Sequence, residues 1–123
     1  MRTRALAIAA LSSLALVACG GDDDEGDAGG GTEVAVNGTD NACTPATTTL
    51  AAGKTTFVFT NNAKSVSELY VLSANDKVIK EVENVPTGQI RKMTVTLDAG
   101  KTYKITCKPG QKGDGFSTEV SVS

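Results

Sequence analysis

The side chains with the most chemical reach in this chain are three cysteines, Cys19, Cys43 and Cys107. Two methionines accompany them, Met1 and Met93, and there is no histidine. That absence removes whole classes of chemistry. Ser-His-Asp and Cys-His catalysis, histidine-ligated zinc and the two-histidine copper site of blue-copper proteins all need an imidazole. No other nucleophile–base pair stands out. The glycines at 110, 113 and 115 fall in a loop that leads into a strand, not a helix, so they form no nucleotide-binding turn. Residues 33–123 carry ten basic and nine acidic side chains, so no basic stripe awaits nucleic acid. With no Trp, and five Phe and Tyr together, base stacking has little to build on. The reading is a non-enzymatic chain without a nucleic-acid partner.

Cys19 has a context of its own. Met1-Arg-Thr-Arg4 is followed by Ala5 to Ala18, almost wholly apolar. A positive start and a short apolar core make a secretory signal, too short to span a bilayer. The segment ends Leu16-Val17-Ala18-Cys19, which resembles the lipobox of bacterial lipoproteins. There the cysteine is diacylated and becomes the first residue, so residues 1–18 are expected to be removed and Cys19 lipidated. From Gly20 to Thr32 the chain holds Gly, Asp, Glu, Ala and Thr, with no large apolar residue. Such a segment cannot bury enough surface to order itself and reads as an acidic tether, residues 19–32 including the anchor. The chain is then expected at the cell envelope, held by lipid to the outer, extracytoplasmic side of the membrane. The acids Asp22 to Asp27 read as a solvated run.

Cys43 and Cys107 remain. In an exported domain an even pair of cysteines reads first as a disulfide. Closing a loop of that length stabilises by about 4 kcal/mol on chain-entropy grounds. That is a large share for a domain this small, which buries only about 60–65% of its unfolded surface. The alternatives are a pair of thiolate metal ligands or two free buried thiols, and the residues alone leave these open.

The elements that must position these sulfurs are strands. After Thr32 apolar residues recur at every second position. Glu33–Asn37, Thr44–Leu50, Lys54–Thr60, Ser67–Ser73, Lys77–Val82, Ile90–Leu97, Lys101–Cys107 and Phe116–Val122 read as short strands. Phe57 and Phe59 share a face, as do Met93, Val95 and Leu97, which makes Met93 a core residue. Tyr103, Ile105 and Cys107 share another. Glu83–Gly88 and Lys108–Gly115 read as loops, and Asn75-Asp76 as a tight turn. About eight short strands without a helical period predict an all-β Greek-key sandwich over residues 33–123. Leu97-Asp-Ala-Gly-Lys-Thr-Tyr103 resembles a tyrosine corner, in which the phenol bonds back to the turn. Tyr103 is therefore read as structural.

Several marks in fixed order then carry a family resemblance. They are Cys43-Thr-Pro45, Ala52-Gly53-Lys54, Phe57 through Asn61, Ser67-Glu68 with Val71-Leu72, Glu81-Val-Glu-Asn84, Leu97 through Gly100 and Tyr103 through Cys107. Together they resemble the cupredoxin-like domain of EfeO-type periplasmic iron-uptake proteins. The resemblance implies a cupredoxin-like sandwich that handles a copper or iron ion in the periplasm, with iron-uptake permease components as partners. In that family a metallopeptidase-like domain often follows. Here Ser123 is the last residue, so the expectation is a stand-alone cupredoxin-like lipoprotein. In cupredoxins generally Cys107 stands where the copper thiolate does, but Lys108 to Gly115 offers neither His nor Met, so a type 1 copper site is excluded. The resemblance places Glu68, Glu81 and Glu83 near Cys43 and Cys107 as candidate metal ligands. Two thiolates would suit Cu(I), and carboxylates would suit Fe(III). The alternative is a metal-free, disulfide-stapled sandwich used for partner binding or envelope structure, its glutamates a solvated strand face.

The lipobox generates the first prediction. Cys19→Ala should release the protein from the membrane fraction of cells. A variant that sediments with membranes as fully as the parent means that Cys19 carries no anchor.

Overall fold

The computed structural model describes residues 31–123. The signal segment, Cys19 and the acids at 22–27 lie outside the described residues. Nine strands form two sheets that face each other. β1 (Thr32–Gly38), β2 (Cys43–Pro45), β4 (Gly53–Asn61) and β7 (Ile90–Leu97) make one, in the order β2-β1-β4-β7. β3 (Thr49–Leu50), β5 (Ser67–Ser73), β6 (Val78–Val85), β8 (Thr102–Cys107) and β9 (Phe116–Val122) make the other, in the order β3-β9-β8-β5-β6. β1 pairs parallel with β4 and β3 with β9; the other ladders are antiparallel. The only helical turn among the described residues is the 3-10 turn Pro109–Gln111. The chain crosses from sheet to sheet as it goes, giving the all-β sandwich that the alternation predicts.

The period of two decides what is inside. Val34 and Val36 of β1, Phe57 and Phe59 of β4, and Met93, Val95 and Leu97 of β7 turn inward from the first sheet. Leu69 and Val71 of β5, Tyr103, Ile105 and Cys107 of β8, and Val120 and Val122 of β9 meet them from the second. Met93 is a core side chain, as its spacing indicates. Tyr103 makes the corner: its phenol oxygen accepts the Asp98 backbone N–H at 3.0 Å. Asn61 is buried with its hydrogen bonds made. Its amide donates to the carbonyls of Ser65 and Val85 at 2.9 and 2.8 Å, and its oxygen accepts Ala63 N–H at 2.9 Å. This one side chain pins the β4–β5 loop to the end of β6.

Two elements differ from their sequence reading. Thr44–Leu50 is two strands in different sheets. Pro45 has no N–H to continue a ladder, and Thr47 Oγ1 bonds locally to Thr49 N and O, so the chain leaves one sheet and joins the other. Glu83 to Val85 belongs to β6, not to a loop. The β5–β6 register slips between Ser67 and Leu69, and Asn84 takes up the slack at φ 57° with its N–H bonded to Gln111 Oε1. A bulge carries the strand through the turn-like residues.

Cys43 and Cys107 are joined in a disulfide, with Cα atoms 5.3 Å apart and a sequence separation of 64. Cys43 sits on the edge strand β2 of one sheet and Cys107 at the end of β8 in the other. The bond therefore ties the two sheets together, and both residues are buried. Gly38 makes room for it: a Cβ there would lie 2.6 Å from the Phe59 ring and 3.2 Å from Cys107 Sγ.

Reducing the disulfide, or Cys43→Ala, should lower unfolding free energy by about 2–5 kcal/mol. Denaturant unfolding with and without a phosphine reductant checks this. An unchanged midpoint, with reduction confirmed by mass, removes the staple from the account of stability.

Candidate functional site

Two places could carry chemistry, and alternation sends them to opposite sides of one sheet. Cys107 closes β8 on its inner face, paired in register with Leu69 of β5. Glu68 and Tyr70 flank Leu69 and so point outward. The sulfurs lie in the core, and Glu68 lies on the outer face of the five-stranded sheet. The structure thus does not gather Cys43, Cys107 and Glu68 into one site. With both sulfurs bonded to each other, neither is a thiolate. Of the alternatives open for this pair, the disulfide is the one present.

The three glutamates do come together. Tyr70 of β5 pairs with Glu81 of β6, and strand alternation puts Glu83 on the same side. The Tyr70 hydroxyl donates to Glu68 Oε1 at 2.8 Å. Lys108 takes the next position after Cys107, so its side chain emerges on the outer face, and its ammonium sits 4.5 Å from the Tyr70 ring centroid. The result is a patch with Tyr70 at its centre, three carboxylates on one side and a lysine over the ring.

Loss of water and crowding of like charge together shift the protonation of this patch. Loss of water, a proton shared with Glu83 and the charges of Glu83 and Glu68 push the Glu81 carboxyl above the ordinary carboxylate range, while Lys108 pulls it back. Burial of the phenol comes first in raising Tyr70 above the ordinary tyrosine range. Its bond to Glu68 and the charges of Glu68, Glu81 and Glu83 add to it. Tyr70 stays protonated and donates.

The donor set can be tested against each metal. Copper of the blue type finds no imidazole and no free thiolate, so the residues do not fit it. A hard cation finds carboxylate oxygens and a phenol, which suit it by type. Their ends do not converge on one point: among the described residues no three Cys, Asp or Glu side chains are set as a ready-made metal cage. Tyr70 and Lys108 were not among the residues singled out by sequence. Strand alternation gives the face of each, but only the cross-strand register makes them neighbours of Glu81 and Glu83.

A carboxyl that holds its proton more tightly folded than unfolded contributes stability at low pH and loses it as pH rises through the folded value. Glu81→Gln should therefore raise the neutral-pH melting temperature, and the gap from the parent should close below the ordinary carboxylate range. Thermal melts from pH 3 to pH 8 check this; a variant no more stable than the parent at pH 7 means the carboxylates do not repel.

Known proteins agree with this architecture. Residues 5–116 match the cupredoxin-like domain family. Over 102 residues the chain is 36% identical to the iron uptake system component EfeO of Escherichia coli strain K12, and equally to that of Shigella flexneri. The match covers 83% of this chain and 24% of each relative, so the chain spans about a quarter of their length. Dithionite-reduced auracyanin from the photosynthetic bacterium Roseiflexus castenholzii has the same fold, with a TM-score of 0.58 over 77% of this chain and 99% of its own, at 14% identity. Matched along nearly its whole length and built as paired sheets of this topology, the chain belongs to the cupredoxin-like domain family.

Proposed function

We propose that this protein is an extracytoplasmic iron-handling module, held to the membrane by lipid on Cys19, that takes iron as cargo on the outer face of its five-stranded sheet. Glu68, Glu81 and Glu83 would supply the oxygen donors by turning their side chains onto one ion, and Tyr70 would orient Glu68 through its hydroxyl. The observation that carries the reading is the gathering of three carboxylates around Tyr70 while the disulfide withdraws both soft donors. A cation relieves the repulsion that raises Glu81, and hard cations prefer oxygen to sulfur. The relatives' name, iron uptake system component, favours iron over copper, and iron-uptake permease components are the partners that would receive it. Copper binding would require reduction to expose Cys43 and Cys107 as thiolates, and a buried pair makes that costly. The competing reading is a metal-free, stapled sandwich that serves only to bind a partner or support the envelope.

The two readings separate in one titration. Oxidised protein should bind about one equivalent of iron, offered as ferric nitrilotriacetate. Glu81→Gln with Glu83→Gln should weaken that binding at least tenfold with the fold intact by circular dichroism. Glu68→Gln should weaken it too, and Cys43→Ala with Cys107→Ala should matter little once stability is allowed for. Iron affinity equal in the parent and the double glutamine variant means the metal-free sandwich is the better account.

A further inference from the structure

The charges of this domain are sorted by face. The three glutamates of the candidate site share the outer face of the five-stranded sheet with Asp76, Asp114 and Glu119, which rim a groove beside them. Six of the nine acidic side chains of residues 33–123 are therefore on this one face. Two lysines, Lys104 and Lys108, line the groove with them. Only three acids of this segment, Glu33, Asp40 and Asp98, lie outside that face. A net charge near zero thus conceals one strongly acidic face.

The groove has a volume of about 560 Å³. Tyr70, Leu72 and Val78 give it an apolar floor; Val78 is half exposed, with no neighbour to cover it. Both lysines are already engaged. Lys104 donates to Asp76 at 2.7 Å, and that bond raises its pKa. Lys108 rests on the Tyr70 ring, so the floor already holds one ammonium on its aromatic face. An aromatic centre with aliphatic neighbours and a charged, solvated rim is the anatomy of a protein contact.

We infer that this face is a docking surface for a polypeptide segment rich in arginine. The match is chemical on three counts. A guanidinium stacks on Tyr70 beside or in place of Lys108. Its aliphatic stem covers Leu72 and Val78. Its forked donors meet the free carboxylates of Asp114 and Glu119. Backbone pairing along β6 is not part of the contact, because two register slips blunt that edge. The surface works without metal and so stands apart from the iron reading, although the two share a face.

The probe is a fluorescent eight-residue peptide of alternating arginine and serine. It is titrated into the full-length protein in uncharged detergent, with a chelator present. Binding should weaken steeply with salt, and a glutamate–serine peptide should not bind. Amide shifts should cluster at Tyr70, Leu72, Val78 and Lys104. Asp114→Lys with Glu119→Lys, both exposed sites, should weaken binding at least tenfold. The matched reversal elsewhere, Glu33→Lys with Asp98→Lys, should change it less than twofold. Iron binding should survive the groove reversal, which separates failure of this inference from failure of the iron site. Equal losses in the two reversal variants, shifts scattered over the surface, or no binding at 50 mM salt would each overturn the proposal.

Discussion

The constraint on which the rest depends is the bond between Cys43 and Cys107. It joins an edge strand of one sheet to the last inward residue of the central hairpin in the other. The domain is small, with few aromatic side chains to fill its interior, and the staple limits the freedom of its unfolded chain instead. The neighbourhood is shaped to it. Gly38 leaves space for the Phe59 ring and the Cys107 sulfur, and Gly115 lets the chain return against the Cys107 carbonyl, where a Cβ would collide. Where the fold elsewhere places a metal thiolate, this chain has a closed covalent joint.

That choice displaces chemistry through the sheet. A strand places successive side chains on opposite faces, so the residue after Cys107 cannot share its environment. Lys108 emerges on the outer face, over Tyr70, and Tyr70 in turn stands one position beyond Leu69, which packs against the core. What is buried and apolar on one side is matched within one residue by what is charged and wet on the other. The candidate site is therefore a by-product of strand geometry in its placement, and specific in its residue types. Alternation alone would be satisfied by any polar residues at 68, 70, 81 and 83.

Much of this was legible in the chain. The inward faces of β4, β7 and β8 follow from Phe57 and Phe59, from Met93 to Leu97 and from Tyr103 to Cys107, because burial on one side imposes period two. Tyr103 announced its corner through the turn before it. Less legible were Pro45 and Asn84, where local bonding and a bulge redirect the chain in ways that a one-dimensional pattern does not encode. The site was half legible. Glu68, Glu81 and Glu83 could be named, and Glu81 and Glu83 share a face by spacing. Their distance from Cys107 could not be read, since it depends on which side of β5 faces the core. Tyr70 and Lys108 belong to the patch only through pairing across three strands.

The crowding on the outer face is itself informative. Sheets of this kind can cover their wet side with alternating signs, which costs nothing and keeps neighbours quiet. Here the domain has ten bases, yet six of its nine acids share this one face. Loss of water at Glu81, its bond to Glu83 and the charges of Glu83 and Glu68 together raise its carboxyl above the ordinary range. Folding gains nothing from that arrangement, because a glutamine at any of these positions would remove the repulsion and keep the strand. A face whose carboxylates repel one another, around a tyrosine that already carries one ammonium, suits a positively charged partner. The disulfide makes this tolerable: by securing the sheets from within, it lets the outer face carry the repulsion without giving up the fold.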